Sequence, residues 1–318
     1  MVAGMKTGTL LRHETILAVL GIAAMAVLAL QSDRFFTIEN LLNQGRLMTE
    51  VGLVALAMTF VIATGGIDLS VGSIVGLTAI LIGVFWQNLG LPLPLAVLGA
   101  VAVGTFGGFV NGLIITRFKV PPLIATLATL ALYRGLAEGI SQARSVRGYP
   151  DWFYVLGQGS VGGVPTQLWI LAAAAIVAAI ILGFTVWGRT VYAIGSNEVA
   201  ARFSGLSIDG CKLAVYTASG FAASLAGVIF VSRVSTTRSD MGTGLELDAI
   251  TAVVLGGTSI FGGRGTIAGT AIGLCLIQAL KNGLSLAGVK GDGTIMLIGA
   301  VLIVAILASN IFDRGGNR

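Results

Sequence analysis

Histidine is nearly missing from this 318-residue chain, with His13 the single example. A Ser-His-Asp or Cys-His catalytic site would therefore lack its base, and a His-based zinc site would lack its ligands. Cysteine is scarce as well. Cys211 and Cys275 are the only two, which is no framework for a secreted disulfide scaffold. Charge is thin: Asp, Glu, Lys and Arg make up 10% of the residues, against about 25% in a soluble domain. So few charges cannot cover the surface of a soluble fold of this size, and so apolar a composition also excludes a disordered chain. No Gly-Lys-Ser or Gly-Lys-Thr sequence occurs, so the chain carries no P-loop. Gly157-Gln158-Gly159-Ser160-Val161-Gly162 spells the dinucleotide fingerprint, but Gly163, Val164 and Pro165 follow it. The motif needs a helix there, and a flexible loop is expected instead. The net charge of +5 does not point to nucleic acid, because the basic residues are scattered over short loops without a cluster.

What the chain does have is apolar length. Hydrophobic residues reach 55% and glycine adds 46 positions, for a mean hydropathy of +0.94. Leu69 to Thr116 contains no charge, nor does Trp152 to Gly188, Leu213 to Ser232 or Gly293 to Phe312. A helix needs about 20 apolar residues to cross a bilayer, so these runs predict an all-α polytopic membrane protein. A β-barrel would show weak alternating segments instead. Charge gaps and turn residues place ten spans at 15–31, 46–64, 69–87, 94–116, 120–140, 167–187, 213–232, 248–262, 265–284 and 293–312. Residues 1–14 and 313–318 are then tails on either side of a transmembrane domain over 15–312. The first span reads as a retained anchor. Its alternative is a cleaved leader ending near Val27-Leu28-Ala29. An even number of crossings puts both termini on one side. The distribution of Lys and Arg is too even, ten against nine, to say which side that is.

An internal echo joins two segments. Val61-Ile62-Ala63-Thr64-Gly65-Gly66-Ile67-Asp68 runs an apolar span into a Gly-Gly break, and Val253-Val254-Leu255-Gly256-Gly257-Thr258-Ser259-Ile260 repeats the design 191 positions later. Matching glycine-interrupted spans suggest an internal duplication with a transport path near the breaks. Thr64, Asp68, Ser70, Thr258 and Ser259 are the candidate path or gate groups there. The plainer role for each is to satisfy a helix end, with Asp68 as N-cap of the following span. Asp248 has the same two roles open to it. Glu50 and Glu138 sit near span ends, where snorkelling suffices. Small residues four apart, in Gly104–Gly108 and in Gly265, Gly269 and Gly273, let helix backbones approach closely.

The informative polar segment is Gly188 to Gly205. Ser196 or Asn197 can cap a short helix, and Gly205 can end it. Glu198 in the first turn and Arg202 in the last suit the helix dipole and form an i,i+4 pair. Val199 and Phe203 make an exposed apolar edge. Such a helix in a membrane loop reads as a docking element for a soluble partner, or else as a helix lying on lipid.

Thr64–Ser73, Val120–Thr129, the Gly188–Gly205 loop and Ile250–Gly263, taken in order, resemble the ribose-type permease family of bacterial monosaccharide ABC importers. Leu132-Tyr133-Arg134-Gly135 and Gly242-Thr243-Gly244-Leu245-Glu246 are most similar to its autoinducer-2 and rhamnose branch. The resemblance implies a type II ABC importer-like bundle in the inner membrane, with both termini cytoplasmic. It implies a second permease subunit, identical or related, a cytosolic ATPase pair that carries ATP and Mg, and a periplasmic sugar-binding protein. No cofactor is expected in this chain and no catalysis. Gly195, Asn197, Glu198, Ala200, Ala201, Arg202, Phe203 and Gly205 match the region that docks the ATPase, and transport would proceed by alternating access. An ion-coupled secondary carrier for a small polar solute is the alternative, and it would need a carboxylate in the path.

Overall fold

The computed structural model describes residues 35–142 and 144–289, and beyond them 291, 293–296, 299, 300 and 303. The expected span 15–31 lies outside the described residues, and 293–312 does so for most of its length. Helix α1 (Ile38–Leu47) starts at Thr37, whose hydroxyl accepts from Asn40 N at 3.3 Å. A 50° bend leads into α2 (Thr49–Ala63). A break at residues 64–70 precedes α3 (Val71–Gly83), which a π-helical turn extends through Val84–Asn88. Helices α4 (Leu93–Arg117) and α5 (Pro122–Ser141) both carry proline in the first turn, where its missing N–H costs nothing.

Next comes α6 (Asp151–Gln158), then a small hairpin of β1 (Ser160–Val161) and β2 (Val164–Pro165). Gly162 and Gly163 turn this hairpin with φ of +61° and +79°, as a tight two-residue turn requires. The dinucleotide-like glycines therefore end a helix and turn a hairpin. The chain continues through α7 (Thr166–Phe184), α8 (Val186–Ser196), α9 (Glu198–Phe203), α10 (Ile208–Val234), α11 (Leu245–Leu255) and α12 (Ile267–Leu286).

Among the described residues, six helices are long and apolar enough to cross a membrane, or seven if α1 and α2 form one bent span. The segment expected at 248–262 is different. Its helix, α11, has 11 residues and stops at Leu255, too short to cross a bilayer alone. Charge gaps cannot see this, because residues 256–263 beyond the helix carry no charge to mark its end.

Helix α10 runs through the middle, against α2, α3 and α4. Helices α4, α5 and α7 surround this centre and expose broad apolar faces, including Leu98, Phe106, Leu127 and Ile176. In lipid those faces need no cover, and close backbone packing holds the helices together. Gly108 of α4 lies 2.8 Å, measured from an added Cβ, from the Gly220 backbone of α10. Gly269 and Gly273 of α12 press in the same way on the Gly256 and Ala252 backbone. Buried hydroxyls add bonds between helices, as where the Oγ1 atoms of Thr59 in α2 and Thr270 in α12 meet at 2.7 Å.

Candidate functional site

The 188–205 segment folds as two short helices at one end of the bundle. Asn197, rather than Ser196, caps α9: its Oδ1 accepts from Ala200 N at 2.9 Å. Gly205, with φ of +77°, closes the helix by letting Leu206 N reach Ala201 O at 3.1 Å. Glu198 pairs with Lys212 at 2.6 Å and with Arg202 at 3.7 Å. Arg202 also lies 3.6 Å from Asp209, which Lys119 approaches to 2.8 Å. These pairs tie α9 to the start of α10 and to the turn between α4 and α5. Ala201 is buried beneath the helix, while Val199 is 65% and Phe203 90% exposed. An outward-facing Phe on a charged helix is the kind of apolar anchor that a partner protein covers.

Behind this loop three glycine segments converge. A Cβ on Gly195 would overlap the Ala63 carbonyl and the Gly263 amide. Gly263 N donates to Ala63 O at 2.9 Å, and an added Cβ on Gly262 would lie 2.8 Å from Gly65 N. The end of α8 thus touches both helix breaks with nothing but backbone between them. The two breaks close bond for bond alike. Gly65 N reaches Ile62 O at 2.8 Å and Gly66 N reaches Val61 O at 3.1 Å; Gly257 N reaches Val254 O at 2.9 Å and Thr258 N reaches Val253 O at 3.2 Å. Gly65 and Gly257 have φ of +80° and +88°, the left-handed step of a Schellman end. The backbone repeat is offset by 192 positions, one more than the Gly-Gly pairs, because Thr64 stands where Gly256 does.

The first break is held by a buried polar knot. Asp68 does not cap α3. Its Oδ1 accepts from Ser70 N at 3.0 Å and from Ser70 Oγ at 2.6 Å, while Oδ2 accepts from Ser219 Oγ of α10 at 2.8 Å. Asn111 of α4 donates to Ser70 Oγ at 2.7 Å, and Thr126 of α5 donates to Ile67 O at 3.1 Å. Thr64 Oγ1 donates to Val61 O at 2.7 Å, within its own helix end. Thr258 and Ser259 are buried in the second break, and Thr258 Oγ1 has no hydrogen-bond partner among the described residues. Of the five sequence candidates, the structure joins Asp68 directly to Ser70, and Thr64, Thr258 and Ser259 stay in the glycine-lined breaks.

The opposite end holds a cavity of about 360 Å³. Glu50 and Val51 of α2, Phe230 and Arg233 of α10, Arg238, Asp240 and Thr243 of the following loop, and Asp248 of α11 contribute to its wall. None of the five break residues does. Glu50 Oε1 accepts from Arg233 Nε at 2.7 Å, and Asp248 pairs with Lys281 of α12. Sequence reasoning placed Glu50 and Asp248 at span ends and left Arg233 unremarked. Their convergence needs α10 and α11 both to pack on α2, which no local pattern announces. Arg134 is also new. It donates to Ser239 O, to Met241 O at 3.1 Å and to Gly72 O at 3.3 Å. The Leu132–Gly135 and Gly242–Glu246 motifs are therefore neighbours.

The sequence profile of the family described as branched-chain amino acid transport system / permease component matches residues 38–306. The chain is 40% identical over 309 residues to the ribose import permease protein RbsC of Escherichia coli K12, covering 95% of this chain and 94% of that protein. It is 38% identical over 293 residues to the ribose import permease protein RbsC of Haemophilus influenzae, covering 91% and 90%. It is 39% identical over 267 residues to the autoinducer 2 import system permease protein LsrD of Escherichia coli O9:H4, covering 82% and 81%. No solved structure matches this chain.

Proposed function

Because the chain belongs to the family of branched-chain amino acid transport system / permease components, we propose that it is the membrane-spanning subunit of an ATP-driven importer for a monosaccharide or similar small polyol. The observation that carries this reading is the α8–α9 loop. It presents Phe203 and Val199 outward on a capped, ion-paired helix and rests its other side on both breaks through Gly195. A cytosolic ATPase would seat on Phe203, and its closure on ATP would push the loop. With only backbone at the Gly195–Ala63–Gly263 contact, that push passes to α2 and to the segment after α11 without a compressible side chain between. The breaks would then swing the helices between two openings. ATP and Mg belong to the partner ATPase in this scheme.

The α8–α9 loop would face the cytoplasm, with both termini on that side. A periplasmic sugar-binding protein would deliver substrate to the opposite end, and a second permease subunit, identical or related, would complete the path. The paired Schellman breaks support two duplicated halves in a type II importer-like bundle of about ten spans. Ribose, rhamnose and autoinducer-2 are the ligand types suggested by the relatives and by the 132–135 and 242–246 motifs. An ion-coupled carrier is not favoured, because both oxygens of Asp68 are taken by serine donors and none of the five break residues faces the cavity.

The test is to isolate the tagged chain from its own cells in mild detergent and identify what accompanies it. A P-loop ATPase is expected. Its absence under conditions that keep other importers intact, together with uptake that stops when the proton gradient is collapsed at constant ATP, would overturn the reading.

A further inference from the structure

Helix α6 lies at the end of the bundle away from α9, against the last turn of α10 and the first turn of α7. Its inward side is pinned to both. Ser232 Oγ of α10 donates to Phe153 O at 2.5 Å, and Gln158 Nε2 donates to Arg233 O at 3.0 Å and to Ser235 Oγ at 2.8 Å. A Cβ on Gly157 would overlap the Arg233 backbone. Gln167 of α7, fully buried, donates to Gly157 O. Phe153 is buried beneath the helix.

The outward side is apolar. Trp152 is 53% exposed, and Val155 beside it is half exposed. Trp169 in α7 is 55% exposed, next to an exposed Val161 in the hairpin. The spans set the level of these residues. Trp152 stands by the end of α10, a helix of 27 residues, and Trp169 stands one turn into α7, a helix of 19. Both lengths suffice to cross a bilayer, so both rings fall near the boundary where hydrocarbon ends.

Continuity identifies what covers them. Trp169, Ala173, Ile176 and Ile180 follow one another at helical spacing, and all are exposed. Beyond Gln167, the Trp169 indole is the one polar side chain in α7. Trp169 therefore heads the stripe that α7 shows to lipid. Its ring extends that stripe, while its N–H reaches Val161 O of the hairpin at 3.4 Å. An apolar ring with a satisfied polar tip is what favours Trp at bilayer interfaces, and a short helix with one apolar edge can lie in the same plane.

We propose that α6 and the β1–β2 hairpin form a lipid anchor. Trp152 and Trp169 sit at the headgroup–acyl boundary of the leaflet opposite α9, and α6 holds the end of α10 at that depth. Helix α10 is then tied at its start to α9, through Asp209 and Lys212, and at its other end to the bilayer itself. The anchor stands or falls independently of the importer reading.

The test uses the full chain with Trp86→Phe and Trp187→Phe, which keeps two of its four tryptophans. Adding Trp169→Phe or Trp152→Phe leaves one reporter at a time. Each protein is reconstituted in phosphatidylcholine vesicles whose chains are brominated near the headgroup or near the methyl end, with iodide on both sides as the aqueous quencher. Bromine near the headgroup should quench either tryptophan several-fold more than bromine near the methyl end, and iodide should quench weakly. Quenching of either by iodide alone would put that face in water or under a soluble partner. Quenching by none would put it under a second chain. Each of these results overturns the proposal, and so does equal quenching by the two bromolipids. The hold on α10 is read by hydrogen exchange in the same vesicles. Trp152→Asp with Val155→Asp, in an otherwise unchanged chain, should speed exchange at residues 232–235 several-fold, whereas Trp152→Phe should not. Unchanged exchange in the Asp variant overturns the anchor, and this measurement decides alone if the tryptophan background does not fold.

Discussion

Replacing Asp68 by Asn and by Leu separates its hydrogen-bonding role from its charge. In the knot, three donors converge on the carboxylate: Ser70 N, Ser70 Oγ and Ser219 Oγ. An Asn can keep its oxygen toward both Ser70 donors and turn its amide toward Ser219, whose hydroxyl then accepts. All three contacts survive as neutral bonds, about half as strong as charged ones, so the expected loss is about 1–2 kcal/mol. Leu removes every acceptor from a site that is fully buried. Each orphaned donor costs about 1–3 kcal/mol. The Ser219 hydroxyl can turn back to a carbonyl one turn earlier in α10, which leaves the Ser70 pair and a total of about 3–5 kcal/mol. That is a large part of the ~5–15 kcal/mol that keeps a domain folded.

The assay is thermal stability of the full chain in detergent, read by fluorescence-detected gel filtration, beside uptake of whichever labelled sugar the wild type imports. Wild type should exceed Asn, and Asn should exceed Leu, in both readouts. A folded Asp68→Asn with no uptake at all would show that the charge itself is required and would refute the knot as a structural pin. Equal destabilisation by Asn and Leu would refute the bond-by-bond account.

Three other outcomes are expected. Phe203→Asp and Glu198→Arg should lower ATPase co-purification by about tenfold or more, the scale of losing an interface anchor of ~1.4 kcal/mol or above, without changing the chain's yield in the membrane. Gly195→Val should keep the ATPase bound but break the coupling of hydrolysis to uptake, because its side chain wedges α8 away from the Ala63 carbonyl; normal uptake per ATP would count against the backbone contact as the transmission point. Gly108→Leu should prevent the close crossing of α4 on α10 and reduce folded yield sharply, and a normal gel-filtration profile would show that the crossing can re-pack.

Much was legible in the residues alone. Charge-free runs set the class, and charge gaps with turn residues placed α3, α4, α5, α7, α10 and α12 within a few residues, because lipid demands continuous apolar length whatever the tertiary packing. The 188–205 helix was visible from its cap, its ion pair and its closing glycine, all of which act within one or two turns. The Gly-Gly echo was visible too, with its register one residue off, since the left-handed step falls on the first glycine of one pair, Gly65, and on the second of the other, Gly257.

Tertiary structure decided the rest. Asp68 looked like a helix cap because Asp before Leu-Ser-Val has that local form; only the approach of Ser219, 151 residues away, makes it a cross-link. Residues 248–262 looked like a span because hydropathy does not record where a helix stops, and α11 stops at Leu255 in a backbone turn. Glu50, Arg233 and Asp248 are ordinary span-end charges in sequence. They form one wall because the 237–244 segment, pinned by Arg134, sinks along α3 and brings α11 in beside α2, on which α10 also packs. Composition and spacing determine what lipid and a single helix turn require, and they determined the membrane bundle and its loop helix. Which buried polar groups meet depends on contacts between residues tens to hundreds of positions apart, and those belong to the packed fold alone.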